Sequence, residues 1–356
     1  MLSFGRVAAL LLIGCILLQG CTSLGPSSVL ADRNSFGETS NESAKQELLL
    51  NLVRLRYGDT PSVVRINQLV AGYNLEGQVN IGSSLFSDGF SIRANDALSG
   101  GVTYSDHPTI TYAPIRGADY GAFLMTPLAP SEILALIMSG APGDVVITLG
   151  VQAINGLRNR FDSGLGHPQS DLGFRTAMYL IEQLGNAGKL GMRFENQGEN
   201  RAAYFVFYDN GKDMDPAEQR LRKVLKLDPT RREFKVVFGL TPDHPDEIAF
   251  YTRSLIQTMN MIADSIEVPE DDISSGRTRP TEAPDPSDQA LPALHITSQR
   301  LPPVNAFVSV RYRDRYFTVD DRDLASKRMF SMLQLLATIS DRGRNDASPI
   351  ITIPSG

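Results

Sequence analysis

The residues from Tyr73 to Leu85, YNLEGQVNIGSSL, alternate along their whole length. Tyr73, Leu75, Gly77, Val79, Ile81, Ser83 and Leu85 fall on one side of a strand, and Asn74, Glu76, Gln78, Asn80, Gly82 and Ser84 on the other. After the turn-like FSDG at 86–89 the alternation resumes, and Phe90, Ile92, Ala94, Leu98, Gly100, Val102 and Tyr104 share one side. A four-residue loop pairs Leu85 with Phe90, Ile81 with Ala94, Gly77 with Leu98 and Tyr73 with Val102, which brings both apolar sides together. The pattern predicts one long amphipathic β-hairpin over 73–104. The arm from Tyr73 to Leu85 extends about 43 Å at about 3.3 Å per residue. Tilted by about 45°, it spans the hydrocarbon thickness of a bilayer, about 30 Å. Tyr73, Phe86, Phe90 and Tyr104 stand at its ends, as in aromatic girdles, and Asp96 interrupts the apolar side.

Elsewhere the period lengthens to that of a helix. Ser43 caps AKQELLLNLVRLRYG, with Leu48, Leu52 and Leu55 at helical spacing and Gly58 as the stop. Extended segments run from Pro61 to Tyr112, and PSEILALIMSG is a short helix ending at Gly140. VVITLGVQAI fits either period, and its β-branched content favours a strand. In the second half Asp171 caps a helix, MRFE and AAYFVFYD read as paired strands, DPAEQRLRKVLKL as a helix and FKVVFGL as a strand. PDEIAFYTRSLIQTMNMIADSI reads as one long helix. LHIT, a hairpin FVSVRYRDRYFTV, a helix from Asp321 to Ile339 and a last strand IITI close the chain. The fold class expected is α+β, mixed helices with antiparallel sheet. The expected order is signal peptide (1–20), flexible tether (21–42), β-rich region (43–165), α+β domain (166–267), disordered acidic Pro/Ser-rich loop (268–292) and C-terminal hairpin and helix (293–356).

The N-terminus sets the compartment. One positive charge in MLSFGR precedes the apolar run VAALLLIGCILL, too short to span a bilayer as a mature helix, so the segment reads as a cleaved signal peptide. Leu18, Gln19, Gly20 and Cys21 resemble the lipobox of bacterial lipoproteins, whose cysteine becomes an acylated N-terminus. By the same resemblance, Thr22 rather than Asp after the cysteine implies the outer membrane, with the body in the periplasm. Several acyl chains on one cysteine anchor stably, at about 0.8 kcal/mol per buried methylene. Cys15 leaves with the signal and Cys21 is consumed by lipid, so the mature chain has no thiol left for a disulfide or a thiolate metal site. Stability must come from the core, for which 42% hydrophobic residues suffice. A formal net charge of -6 argues against a nucleic-acid partner.

Four blocks, LLLNLVRLRYGDTP (48–61), PTITYAPIRGADYGAFLMTPLAPSEILALIMSG (108–140), VQAINGLRN (151–159) and AFVSVRYRDRYFTVDDRDLASKRMF (306–330), together resemble a family of proteobacterial envelope lipoproteins. The resemblance covers most of the mature chain and carries over no catalytic residue. The residues themselves offer little chemistry. His107, His167 and His244 each precede a proline, which pushes them into extended or turn conformations, and no HExxH or GxSxG is present. GNAGKLG (185–191) lacks P-loop spacing and reads as a helix stop. DNGKDMD (209–215) and DDRD (320–323) read as a turn and a helix cap rather than calcium loops. Arg220, Arg222, Lys223, Lys226, Arg231 and Arg232, with Lys235, form a basic run suited to an anionic surface. RYRDRY alternates aromatic and basic residues but reads as a half-buried hairpin. The expectation is a non-enzymatic, lipid-anchored envelope protein without cofactor beyond the lipid on Cys21, acting as a periplasmic scaffold or adaptor in outer-membrane assembly or export. Its partners are membrane lipid, envelope proteins and further copies of itself. One alternative is a pore subunit that contributes the hairpin to an oligomeric barrel, and a second is a cell-wall hydrolase.

Overall fold

The computed structural model describes residues 26–70, 73–80, 99–106, 109–159, 170–197, 200–208, 214–281 and 294–341. The signal segment, Cys21, the hairpin positions Ile81, Leu85, Phe90, Ile92 and Leu98, residues 282–292 and the final IITI lie outside them. Helices and mixed sheets make the protein α+β.

Leu48, Leu49, Leu52, Val53 and Tyr57 recur at helical spacing and are buried, so helix α1 (Pro26–Arg56) is held by its second half. The composition of 21–42 predicts a flexible tether; the structure instead continues the helix back to Pro26. Once a packed turn exists, each further residue adds a hydrogen bond without a new nucleation cost. Gly58, at φ +78°, ends the helix.

Strands β1 (Val64–Val70), β2 (Tyr73–Asn80), β3 (Ser99–Asp106) and β4 (Thr109–Pro114) belong to a separate compact unit, residues 62–121, inserted between two halves of the body. The chain re-enters the body within helix α2 (Gly117–Met125), where Phe123 and Leu124 are buried. The expected β-rich region 43–165 is therefore divided, its last part being helical and joined to the body. Helix α3 (Pro130–Met138) starts with proline at its first position, and the Glu132 carboxylate accepts from the Ala129 N–H at 3.0 Å. Helix α4 (Gly143–Gly150) corrects the strand expected at VVITLG. Val145, Val146 and Leu149 are buried, and that burial outweighs the few tenths of a kcal/mol that β-branching costs a helix. A Cβ on Gly150 would stand 2.6 Å from Ile133 Cδ1, so α3 and α4 approach closely here and a larger residue would have to push the end of the Ile133 side chain aside.

Strands β5 (Val151–Ile154) and β6 (Leu157–Arg158) are joined by Asn155-Gly156, with φ +47° and +80°, a two-residue hairpin of the kind these residues favour. Helix α5 (Leu172–Asn186) ends at Gly188, the stop expected from GNAGKLG. Strands β7 (Leu190–Gln197) and β8 (Asn200–Phe207), helix α6 (Pro216–Leu225) and strand β9 (Glu233–Phe238) follow the expected order. The single long helix expected after it is in fact strand β10 (Glu247–Thr252) followed by helix α7 (Leu255–Asp264). Ile248, Ala249, Phe250 and Thr252 are buried between β5 and β9, where a helix has no room. The helix begins at a capping box in which Ser254 and Gln257 satisfy each other's backbone N–H groups. Helix α8 (Glu270–Ser274) corrects the start of the loop expected to be disordered: Arg56 reaches back to the Arg279 carbonyl at 2.8 Å and to Thr281 Oγ1 at 3.1 Å. Strands β11 (Thr297–Gln299), β12 (Ala306–Tyr312) and β13 (Arg315–Asp320) and helix α9 (Leu324–Ser340), capped by Asp323, complete the chain.

The six-stranded sheet runs β6-β5-β10-β9-β8-β7, with β9 and β10 parallel and the other neighbours antiparallel. The apolar core between this sheet and helices α5 and α6 contains Ile154, Ile181, Phe205, Phe207, Leu221, Leu225 and Phe250. The smaller sheet, β11-β13-β12, is antiparallel and supports α1 and α9. Arg253 is fully buried where α4 passes into β5 and donates to the carbonyls of Thr148 (2.7 Å) and Val151 (2.9 Å). Asn159, also buried, donates to Ile147 O and Val151 O, at 3.1 and 2.7 Å. The Thr148 carbonyl, which the end of α4 leaves without an intrahelical partner, is thus met from inside the protein, with a cation at the negative pole of the helix.

Candidate functional site: an isolated ribbon and the aromatic node before it

β2 and β3 pair antiparallel from Tyr73↔Asp106 to Asn80↔Ser99, and β1 and β4 pair from Val64↔Pro114 to Val70↔Thr109, with a bulge between Ile66 and Gln68. From Gln68↔Thr111 to Val70↔Thr109 and from Tyr73↔Asp106 to Asn80↔Ser99 each step forward on one strand is a step back on its partner from the same starting alignment, so the two strand pairs share one register. The expected register, Gly77 opposite Leu98, is displaced by four residues: Gly77 faces Val102 and Tyr73 faces Asp106. Pairing of β1 with β4, below the expected hairpin, adds rungs that a reading from the FSDG turn does not count, and register follows the whole ladder. A shift of four is even, so every residue keeps its side.

The two sides are chemically distinct. Leu69↔Ile110, Leu75↔Tyr104, Gly77↔Val102 and Val79↔Gly100 share one side, which among the described residues carries one charged rung, Tyr73↔Asp106. Gln68↔Thr111, Val70↔Thr109, Asn74↔Ser105, Glu76↔Thr103, Gln78↔Gly101 and Asn80↔Ser99 share the other. Of the expected membrane-facing residues, Tyr73, Leu75, Val79, Val102 and Tyr104 fall together on the first side. Among the described residues no third strand is hydrogen-bonded to either pair. A two-stranded ribbon alone in water is marginal at best.

Just before the ribbon unit in the chain, the LRYGDT segment meets RYRDRY and the 268–281 segment. Tyr57 donates to Asp272 Oδ2 at 2.7 Å, and Arg277 donates to Asp272 Oδ1 at 2.9 Å. The Tyr57 ring lies 5.2 Å from Tyr312 and 6.0 Å from Phe317, and Tyr312 donates to the Asp59 carboxylate. Arg313, in the left-handed region at φ 54°, sets its guanidinium 4.9 Å from the Tyr57 ring and 5.3 Å from that of Tyr312. Burial, then the Asp272 partner, raises the Tyr57 pKa above the usual tyrosine value. Burial opposes ionisation of Asp272, but the Tyr57 hydroxyl and the Arg277 guanidinium outweigh it and hold that carboxyl below its usual range. Burial, then the bond to Asp59, raises Tyr312. Tyr57 and Tyr312 lie in segments at opposite ends of the chain, and their contact has no sequence signal.

This node makes stability depend on pH in a direction set by Asp272. A depressed folded pKa supplies stability that is present above the unfolded value, about 3.9, and lost as pH falls through the folded one. Urea midpoints should fall less steeply below about pH 4 in Asp272→Asn than in the native chain. Equal acid slopes would show that Asp272 titrates alike folded and unfolded.

The basic run divides. Arg220, Lys223, Lys226, Arg231 and Arg232 are exposed, whereas Arg222 is 4% exposed and is not part of any surface. It pairs with Glu218 at 2.7 Å, lies 4.2 Å over the Phe207 ring and donates to Asp228 O and Arg231 O, each at 2.8 Å. A helical i, i+4 pair on the inner side of α6 explains the correction. RYRDRY is the hairpin expected, with Val308, Val310, Phe317 and Val319 buried. His244 is exposed and His295 Nδ1 lies 3.1 Å from Asp323 Oδ2, while His107 and His167 lie outside the described residues. Among the described residues no group of three or more His, Cys, Asp or Glu has metal-holding geometry, and no helix is long and apolar enough to cross a membrane. No family model, curated protein or solved structure matches the chain.

Proposed function

We propose that the protein is a non-enzymatic lipoprotein, anchored at Cys21 in the outer membrane, whose ribbon joins those of further copies in an oligomeric β-barrel pore. The observation that carries this reading is the ribbon: one register, one apolar and one polar side, and no third strand among the described residues. Backbone groups along its edges need partners, and in lipid only a closed barrel supplies them. Copies of the same ribbon do so by symmetry, with the polar side lining water. The described residues of the body form a core of their own.

A second reading, a periplasmic scaffold or adaptor, draws on the same open edges, to which another envelope protein can add a strand. Electron microscopy and planar-bilayer recording of the detergent-extracted lipoprotein separate the two. Rings with channel activity are expected; a monomer without conductance would leave the adaptor. Cys21→Ser should keep the acyl mass from the mature N-terminus, and an unacylated wild-type N-terminus in mass spectrometry would sink the anchor.

A further inference from the structure

The ladder between β11 and β13 runs from Thr297↔Thr318 to Gln299↔Tyr316, so the next position along it sets Arg300 opposite Arg315. Like charges directly opposite on neighbouring strands destabilise a sheet, and an anion between them offsets the repulsion. Here that anion is Asp271 of α8, whose Oδ2 lies 3.6 Å from Arg300 Nη2 and 3.5 Å from Arg315 Nη2. Both distances exceed the about 2.7 to 2.9 Å of a charge-assisted hydrogen bond, and both cations share a single oxygen. Two guanidinium groups thus converge on one loosely held carboxylate, with positive charge in excess.

Arg315 is the more telling of the pair. Its side chain is only 16% exposed, yet among the described residues none of its N–H donors is in a hydrogen bond. Donors so far withdrawn from water are ordinarily taken, because leaving them unmade is costly. The Asp271 side chain, in contrast, is 75% exposed and can turn away without disturbing packed groups. Its helix would stay in place, since the neighbouring Asp272 is held by the Tyr57 hydroxyl and by Arg277.

We infer that Arg300 and Arg315 form a binding site for a phosphate group, which the Asp271 side chain occupies until a ligand displaces it. A carboxylate serves one guanidinium fork, whereas a phosphate monoester, with a third terminal oxygen, can serve two at once. The site lies within the body and rests on neither the lipid anchor nor the pore. Its chemistry suits free phosphate and a phosphorylated organic molecule alike.

The full-length mature chain carrying Cys21→Ser, in phosphate-free buffer at fixed ionic strength, is titrated with sodium phosphate, glycerol phosphate or sodium acetate. NMR signals of the arginine Nε–H groups report binding. Both phosphates are expected to bind with dissociation constants of about 1 mM or below. Acetate should bind about tenfold more weakly or worse. Arg315→Gln and the surface variant Arg300→Gln should each weaken phosphate binding about tenfold or more. Asp271→Asn, which removes the tethered competitor, should tighten it about threefold or more. Lys223→Gln, in the basic run, should leave it unchanged. Tighter binding of glycerol phosphate than of phosphate would assign the site to a phosphorylated organic molecule, and equal binding to free phosphate. Signals that do not move, acetate binding as tightly as phosphate, or native affinity in Arg300→Gln would overturn the site. Unchanged or weaker binding in Asp271→Asn would overturn the displacement, and an equal loss in Lys223→Gln would reduce the effect to general attraction of anions.

Discussion

Val79→Arg and Val102→Arg are each expected to abolish insertion of the lipoprotein into vesicles, whereas Gln78→Arg, one residue along the same strand, is expected to insert. Val79 and Val102 lie on the apolar side of the ribbon, opposite Gly100 and Gly77, and Gln78 lies on the polar side opposite Gly101. An arginine facing lipid near the bilayer midplane costs about 2 to 4 kcal/mol per copy, a cost that recurs in every subunit of a ring, and one facing a watery lumen costs little. The readout is protease protection of the ribbon in vesicles together with the ring fraction in detergent. Equal behaviour of all three variants would remove the sidedness on which the pore rests. Unfolding of the body by Val79→Arg would show instead that this side is a protein core, since an unpaired charge buried there destabilises the whole domain.

The second large effect concerns the body. Arg253→Met should lower the stability of the unacylated protein by about 3 kcal/mol or more, because Thr148 O and Val151 O lose a charged donor at a site closed to water. Methionine fills much of the volume, so most of the loss is polar rather than steric. Urea denaturation followed by far-UV circular dichroism measures it. A change under about 1 kcal/mol would mean that other donors or water take over the two carbonyls.

Much of the local structure is legible in the chain because it depends on neighbours a few residues apart. Asp215 before Pro216, Gly58 and Gly188 mark where helices begin or stop. Where reading fails, a distant partner intervenes. VVITLG looks like a strand until Val145, Val146 and Leu149 find a core, and EIAFYT looks helical until β5 and β9 flank it. Arg222 reads as one more surface cation until Phe207 and Glu218 enclose it.

The ribbon divides the two kinds of information most sharply. Its alternation, and hence which residues share a side, follows from the sequence alone, because the strand period is two and an even slip cannot alter it. Its register, its extension down to Val64 and Pro114 and the absence of a third strand among the described residues are decided by the pairing of segments far apart in the chain. The same holds for the node: each aromatic residue is visible in its own block, but that Tyr57, Tyr312, Arg313 and Asp272 meet depends on the packing of α1 against β12, a contact between segments some 250 residues apart that no local pattern encodes.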